Sequence, residues 1–116
     1  MKHILIADDD AGMLHLMTRA LPDYRVTLAR NGLEALAQAS RLASCDLLIT
    51  DYLMSPMLGD ELAGRLRIAR PSLKTLLVTG HTQFIDADEC GTDAHLAKPF
   101  QVAALRAAVS ALIGEA

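Results

Sequence analysis

The stretch of sequence that decides the fold runs from Ile4 to Asp10 and reads Ile-Leu-Ile-Ala-Asp-Asp-Asp. Four consecutive apolar residues are typical of a short strand that is covered on both faces, as strands in parallel sheets are. Either Asp9 or Asp10 can cap a following helix, because a carboxylate there accepts hydrogen bonds from the helix's first free N–H groups. That helix has apolar residues at helical spacing, at Leu14, Met17 and Leu21. The stretch therefore predicts a strand and a helix joined by carboxylates.

The same order of strand and helix continues along the chain. Further short strands are predicted at residues 26–28, 47–50, 76–78 and 94–97. Further helices are predicted at residues 33–43, 59–70 and 101–113, with a short or irregular fourth helix at 81–91, where there is room for only about two turns. Alternating strands and helices favour an α/β fold: a doubly wound, five-stranded parallel sheet with helices on both faces and right-handed crossovers.

The composition bounds the possible functions. The 116 residues are 52% hydrophobic, enough for one domain spanning residues 1–116 with an ordinary core. Only 3% of the residues are aromatic and the net charge is −3, so direct binding to nucleic acid is disfavoured. The first apolar run is too short for a signal peptide or a membrane span, so a cytoplasmic protein without membrane contact is expected. Cys45 and Cys90 lack a CxxC spacing and are expected to be reduced thiols rather than a disulfide or a metal site.

Polar residues gather where the predicted strands end. Asp8 and Asp9 follow the first strand, Asp51 follows the third, Thr79 the fourth and Lys98 the fifth. Ligands of an open parallel sheet bind at the carboxyl ends of its strands. If these strands are neighbours, the five side chains converge on one crevice.

A cluster of this kind suits phosphoryl transfer. Close carboxylates repel each other, so at least one pKa should rise unless a cation intervenes. Mg²⁺ prefers oxygen ligands and is commonly held by one or two carboxylates together with phosphate oxygens. The ammonium of Lys98 and the hydroxyl of Thr79 would add a positive charge and a hydrogen-bond donor around a transferring phosphoryl group. The carboxylate of Asp51 would then be the nucleophile and form an aspartyl phosphate.

Each of these residues also has a simpler explanation when it is taken alone. The three aspartates could simply cap the first helix, and this is the favoured role for Asp10. Asp51 and Thr79 could be turn residues, and Lys98 could be a surface charge or a salt-bridge partner. Five such residues at strand ends in one chain favour a shared site instead. Two rival functions are a constitutive adaptor that has the fold but no switch, and a flavodoxin-like cofactor binder, although three aspartates would repel a phosphate that lacks a metal.

Four segments of the chain carry a family resemblance. They are residues 4–9 with their acidic pair, residues 47–51 ending at Asp51, residues 76–80 with their hydroxyl and glycine, and Lys98-Pro99-Phe100. Met54, Met57 and Gly59 also fall where the loop after the acceptor would have them. Together these segments resemble the receiver domain of two-component response regulators over essentially the whole chain. The resemblance implies a flavodoxin-like (βα)5 fold and a single-domain switch that catalyses its own phosphorylation and dephosphorylation.

The resemblance also implies how the acidic residues act. Asp51 would take the phosphoryl group from the phosphohistidine of a histidine kinase or a histidine phosphotransfer protein. Asp9 would bind Mg²⁺ directly together with Asp51, and Asp8 would contribute, often through water. The backbone carbonyl of Leu53 would add a further metal ligand.

The remaining site residues would sense the phosphoryl group. Thr79 and Lys98 would contact its oxygens, and Thr79 would be the hydroxyl of the conformational switch. The peptide bond before Pro99 is typically cis in the family. His95 stands where the family's rotating aromatic residue lies, so the switch would be pH-sensitive; the alternative is a half-exposed strand histidine with no such role.

The predicted surfaces bear on partners. With no effector domain among these residues, output is expected to pass through contact with a downstream protein that the sequence does not identify. Met13, Leu16 and Ala20 form a second apolar stripe on the first helix, which is either a docking surface or part of a wide core face. Residues 81–91 contain no Lys or Arg, and the last helix offers only Arg106. Charge-paired dimerisation through the predicted fourth helix and the last helix is therefore disfavoured, and a monomer, or a dimer through another face, is expected.

Overall fold

Parallel strands form the centre of the molecule. The computed structural model describes residues 1–80 and 91–115. Within these residues the strands are β1 (His3–Ala7), β2 (Arg25–Ala29), β3 (Leu47–Asp51), β4 (Lys74–Thr79) and β5 (Ala94–Ala97), in the order β2-β1-β3-β4-β5. Every neighbouring pair runs parallel. The predicted five-stranded parallel sheet is confirmed.

Helices cover both faces of this sheet. They are α1 (Ala11–Ala20), α2 (Gly32–Ala39), α3 (Gly59–Ala69) and α4 (Val102–Ile113). Alternate residues of β1 point to different cores: Ile4 and Ile6 pack with α1 and α4, whereas Leu5 and Ala7 pack with α2 and α3. All four side chains have 0% of their surface exposed. The strand is a continuous apolar run because neither of its faces meets water, and the doubly wound architecture is confirmed.

The strand order reverses beside β1. The chain passes from β1 to β2 on one side of it and then to β3 on its other side. Crossovers that diverge in this way leave a crevice outside the carboxyl ends of the two central strands. The topology therefore places the residues after β1 and β3 at the mouth of one crevice.

One helix is shorter than its sequence pattern predicts. α2 ends at Ala39 rather than at residue 43. Beyond it, the N–H groups of Arg41 and Leu42 bond carbonyls three residues back, which tightens the chain into a turn. The guanidinium of Arg70 donates to the carbonyls of Ala39 and Leu42 at 2.9 and 2.6 Å. The last carbonyls of α2 thus have hydrogen-bond partners without a further helical turn. Extending the helix would therefore add no hydrogen bonds for these carbonyls.

The fourth strand is longer than its sequence pattern predicts. β4 begins at Lys74 rather than at residue 76, because its first two residues pair with Leu47 and Leu48 of β3.

The predicted fourth helix lies outside the described residues, except for Gly91. The Lys98–Pro99 bond is cis, as the resemblance implied, and the Ser55–Pro56 bond is cis as well. No helix in the described part of the chain has the length and apolar content that a membrane crossing requires.

The second apolar stripe predicted on α1 is mostly a core face. Met13 packs against the buried cluster and Ala20 belongs to it. Leu16 alone of the three is exposed, with 43% of its surface accessible. Cys45 is a free, half-buried thiol whose pKa is raised by burial, and Cys90 lies outside the described residues.

The ends of α1 and α4 are fastened by donors from elsewhere. Arg106 Nε donates to the carbonyl of Ala20, the last residue of α1, at 2.8 Å. The Lys2 ammonium donates to the carbonyl of Ile113, and the Tyr24 hydroxyl donates to that of Gly114 at 2.8 Å. Cationic and hydroxyl donors satisfy the free carbonyls of a helix C-terminus and complement its dipole. Both helices therefore end at fixed points near the amino ends of the strands.

The surroundings of His3 predict that stability depends on pH. Its side chain is 7% exposed, and its Nε2 lies 2.6 Å from the Thr27 hydroxyl. Burial lowers the pKa of His3, the charges of Arg25 and Arg70 lower it further, and Asp46 opposes them. A depressed pKa means that the folded state prefers the neutral imidazole. The resulting stability is fully present above the unfolded value of about 6.5 and is lost as the pH falls from there through the folded-state pKa.

We predict that His3→Gln flattens this dependence. Urea midpoints measured at about pH 7.5 and about pH 5.5 should fall less in the variant than in the parent, because glutamine does not titrate in this window. His15→Gln, at an exposed position on α1, is the matched control and should behave as the parent does. Equal losses of stability in the parent and His3→Gln would show that His3 does not carry the effect.

Candidate functional site

Three carboxylates meet where β1 and β3 end. Asp8 directly follows β1 and Asp51 is the last residue of β3, and the register that pairs Ala7 with Thr50 brings them side by side. Asp8, Asp9 and Asp51 each offer an oxygen within 4.8 Å of the others. Asp8 is fully buried, Asp51 is 9% exposed and Asp9 is exposed. The cluster therefore has a closed floor and an open rim.

Lys98 reaches this cluster from the far side of β4. Its backbone N–H donates to the carbonyl of Thr79 at 2.9 Å, which fixes the chain just after β5. Its ammonium lies 3.0 Å from Asp8 Oδ2 and 3.6 Å from Asp51 Oδ1. Only 20% of the lysine side chain is exposed, so water screens these ion pairs less than it screens pairs on an open surface.

The three consecutive aspartates have different roles. Asp10 caps α1, since its Oδ1 accepts the N–H of Gly12 at 2.9 Å. Asp8 is held by its own chain: Oδ1 accepts the N–H of Asp10 at 2.9 Å, while Oδ2 faces Lys98. Asp9 is left pointing toward the rim of the cluster. The favoured capping role for Asp10 is confirmed, and the structure separates that residue from the carboxylate cluster.

The ionisation of Asp51 is shifted by its surroundings. Its Oδ1 accepts the N–H of Tyr52 at 2.9 Å. Burial raises the pKa of its carboxyl above the ordinary value, Lys98 opposes that shift, and the charges of Asp8 and then Asp9 raise it further. The sequence predicted a raised pKa from repulsion between carboxylates. The direction is right, but loss of water is the largest cause and repulsion is a smaller one.

Thr79 occupies the strand end between Asp51 and Lys98. It is the last residue of β4 and is 1% exposed. Its neighbour Val78 pairs with Asp51 of β3, and Thr79 itself pairs with Ala97 of β5. The strand order therefore brings the predicted set of strand-end residues to one edge of the sheet, as the sequence indicated.

Two other predicted site residues lie around this edge. Leu53 follows β3 and is 44% exposed, in the loop where a metal-ligating carbonyl was predicted. His95 pairs with Leu77 in the sheet, and its side chain is exposed. The carbonyl ligand and the switch role of His95 both stay predictions.

Two residues beside Asp51 make contacts that the sequence reasoning did not predict. The Thr50 hydroxyl is fully buried and donates to the backbone carbonyl of Asp51 at 2.9 Å. Gly59, the first residue of α3, lies against that same carbonyl, and its N–H donates to the carbonyl of Tyr52 at 2.8 Å. A hydroxyl in an otherwise apolar strand was the available signal for Thr50, because a buried hydroxyl requires a partner.

The donor set fits a hard divalent cation. All the groups that the cluster offers are carboxylate oxygens, and one ammonium does not balance three negative charges. Oxygen-only sites with excess negative charge select Mg²⁺ or Ca²⁺ over metals that prefer nitrogen or sulfur. Asp8, Asp9 and Asp51 are therefore the residues that could hold such an ion.

Comparisons with known proteins agree with this geometry. The family model of the response regulator receiver domain matches residues 4–110. The response regulator receiver protein CpdR of Brucella abortus is 36% identical over 107 residues, which are 88% of each protein. The transcriptional regulatory protein GlrR of Escherichia coli is 32% identical over 112 residues, and the alignment covers 92% of this chain but only 25% of that protein.

Solved structures show the same fold. Chemotaxis response regulator CheY4 of Vibrio cholerae superimposes with a TM-score of 0.87 at 28% identity, over 97% of this chain and 98% of that one. The response regulator TrrA of Thermotoga maritima, solved in complex with Mg²⁺-BeF, gives a TM-score of 0.86 at 30% identity, over 97% and 99% of the two chains. With the fold, the strand-end carboxylates and the match over residues 4–110 in agreement, this chain belongs to the response regulator receiver domain family.

Proposed function

We propose that Asp51 accepts a phosphoryl group in a Mg²⁺-dependent reaction and that the chain signals by changing its contacts with other proteins. The observation that carries this proposal is the grouping of three carboxylates within 4.8 Å, with the ammonium of Lys98 3.6 Å from Asp51 Oδ1. Excess negative charge calls for a divalent cation, and the lysine supplies a second cationic group beside the acceptor.

Asp51 is the best placed acceptor of the three carboxylates. Both oxygens of Asp8 are engaged, and its side chain is fully buried. Asp9 is exposed at the rim, where it can bind a metal ion. Asp51 Oδ1 is bound by an N–H, and its Oδ2 has no hydrogen bond within residues 1–80 and 91–115. Oδ2 is thus the oxygen that can attack an incoming phosphorus.

The residues around Asp51 fit the needs of the transfer. Mg²⁺, when held by Asp8, Asp9, Asp51 and the carbonyl of Leu53, would neutralise charge on the phosphoryl oxygens. The solved TrrA complex supports this choice of ion, since that relative binds Mg²⁺-BeF. The Asp51 oxygen attacks phosphorus and forms a P–O bond while the P–N bond of a donor phosphohistidine breaks. The imidazole nitrogen keeps the bonding electron pair and takes a proton from solvent.

Lys98 and Thr79 would then respond to the new group. The Lys98 ammonium, already 3.6 Å from Asp51, would pair with a phosphoryl oxygen. The Thr79 hydroxyl, at the end of the neighbouring strand, would be drawn to another. Movement at Thr79 would pass to the exposed ring of His95, two residues before its partner Ala97 in β5. This supports a switch rather than a constitutive adaptor, because every group that a switch requires is at one strand edge.

The proposed partners follow from the chemistry. A histidine kinase or histidine phosphotransfer protein would supply the phosphoryl group, and a downstream protein would read the changed surface. Residues 1–116 would act as one receiver unit in the cytoplasm, without direct contact to nucleic acid or membrane. CpdR, a receiver protein of which this chain covers 88%, supports that arrangement, whereas GlrR shows that the domain also occurs in longer proteins.

We expect a small phosphodonor with Mg²⁺ to add one phosphoryl group that hydroxylamine removes, as it does an acyl phosphate. Asp51→Asn should abolish the labelling, because the amide cannot act as the nucleophile. Asp23→Asn, in an exposed turn before β2, is the matched control and should be labelled as the parent is. Intact-mass spectrometry checks both variants. Labelling that persists in Asp51→Asn would place the acceptor elsewhere.

Mg²⁺ should also stabilise the folded protein. At ~100 times the dissociation constant, the free energy of unfolding should rise by about 2.7 kcal/mol, because the ion binds the folded cluster and not the unfolded chain. Asp9→Ala should remove this gain, and Asp23→Ala should keep it. Thermal melts with and without Mg²⁺ measure the difference. A parent whose melting temperature ignores Mg²⁺ would contradict the metal site.

We also expect a monomer before and after phosphorylation. Arg106, the only cation on α4, is already used to bond the carbonyl of Ala20, which leaves it poorly placed for a salt bridge between subunits. Light scattering after size-exclusion chromatography should give the mass of one chain in both states. A dimer that forms on phosphorylation and disappears in Arg106→Ala would overturn this expectation.

A further inference from the structure

The peptide group between Asp51 and Tyr52 is held at both of its ends. Its N–H donates to Asp51 Oδ1 at 2.9 Å. Its carbonyl, which belongs to Asp51, accepts the hydroxyl of Thr50 at 2.9 Å. Because a peptide group is planar, fixing its carbonyl also fixes the direction of its N–H. The Thr50 hydroxyl therefore controls the N–H that orients the acceptor carboxylate.

The surroundings make this hydroxyl bond strong. Thr50 has 0% of its surface exposed, so water cannot replace its contact with the carbonyl. The three preceding residues of β3 are Leu47, Leu48 and Ile49, all fully buried as well. A hydroxyl in such a core is costly unless it is hydrogen-bonded, and low polarity strengthens the bond that it makes.

Gly59 provides the space for this arrangement. A Cβ on Gly59 would lie 2.0 Å from the carbonyl oxygen of Asp51 and 3.1 Å from the Thr50 hydroxyl oxygen. Any side chain there would displace the carbonyl or the helix that follows. The N–H of Gly59 also donates to the carbonyl of Tyr52 at 2.8 Å, so the loop closes directly over the same peptide.

We infer that Thr50 and Gly59 are positioning residues for phosphorylation: the Thr50 hydroxyl fixes the 51–52 peptide so that Tyr52 N–H holds Asp51 Oδ1 and directs Oδ2 to the phosphorus. The inference rests on the proposed role of Asp51 as acceptor. Without the hydroxyl, the peptide can rotate and the carboxylate samples directions from which it cannot attack. The loss should appear in the maximal rate of transfer, since orientation of the nucleophile and not affinity for the donor is changed.

Thr50→Val tests the inference, because valine has the shape of threonine but no hydroxyl. With acetyl phosphate and Mg²⁺, its maximal phosphorylation rate should fall about three- to tenfold, the worth of one hydrogen bond, while the half-saturating donor concentration stays the same. Thr50→Ser restores the hydroxyl and should return the rate to within about twofold of the parent. Gly59→Ala should slow the maximal rate in the same way.

Thr75→Val is the matched control. Thr75 is also a fully buried strand threonine, and its hydroxyl donates to Asp93 Oδ2 at 3.1 Å, but it lies near the amino end of β4, away from the carboxylates. The Thr75→Val variant should lose thermal stability as Thr50→Val does, but it should still be phosphorylated at the parent's rate. NMR of the metal-free protein gives a second readout. The resonance of the Tyr52 amide proton should shift upfield in Thr50→Val and keep the parent's chemical shift in Thr75→Val.

The outcomes separate the inference from the proposed function. A parent that acetyl phosphate does not label would overturn the proposed function and this inference with it. A labelled parent with Thr50→Val equally fast, or with Thr75→Val equally slow, would overturn the inference alone. An unmoved Tyr52 amide proton in Thr50→Val would do the same without any phosphorylation step.

Discussion

Two carboxylates that the fold removes from water share one ammonium. Lys98 lies 3.0 Å from Asp8 and 3.6 Å from Asp51, and both aspartates are buried. Buried charges destabilise a protein unless they are paired. The two buried carboxylates at the carboxyl edge of the sheet therefore require Lys98 at this position. One lysine is nevertheless too little positive charge once Asp9 is counted. The site is thus built with a deficit of positive charge that a divalent ion can remove.

The sheet topology makes this pairing possible. Lys98 follows β5 and Asp8 follows β1, and two strands, β3 and β4, lie between them. The lysine side chain crosses that distance because its backbone is tied to the end of β4 at Thr79. The other end of β5 is held by Asp93, which accepts hydrogen bonds from the backbone N–H and the hydroxyl of Thr75. Asp93 also forms an ion pair with Arg67, in which Oδ1 lies 3.0 Å from Nη2. β5 is thereby held in register at both ends, and the ammonium is placed by main-chain contacts.

Much of this arrangement could be predicted because it follows local rules. Apolar runs located every strand, and polar residues at strand ends located the carboxylates, Thr79 and Lys98. The features that escaped prediction depend on contacts between distant segments. α2 ends early because Arg70, far along the chain, bonds its last carbonyls. The approach of Gly59 to the Asp51 carbonyl, which leaves no room for a Cβ, is a contact that no periodicity in the sequence records.

The fastening of α4 has a practical consequence for experiments. The Lys2 ammonium bonds the carbonyl of Ile113, so segments close to the two ends of the described chain lie together beside the amino ends of the strands. The carboxylate cluster is at the opposite, carboxyl edge of the same sheet. A fluorophore, an affinity tag or a surface linker attached at either terminus would therefore be separated from Asp51 by the length of the strands. Immobilised protein should keep its crevice open to a partner arriving from solution.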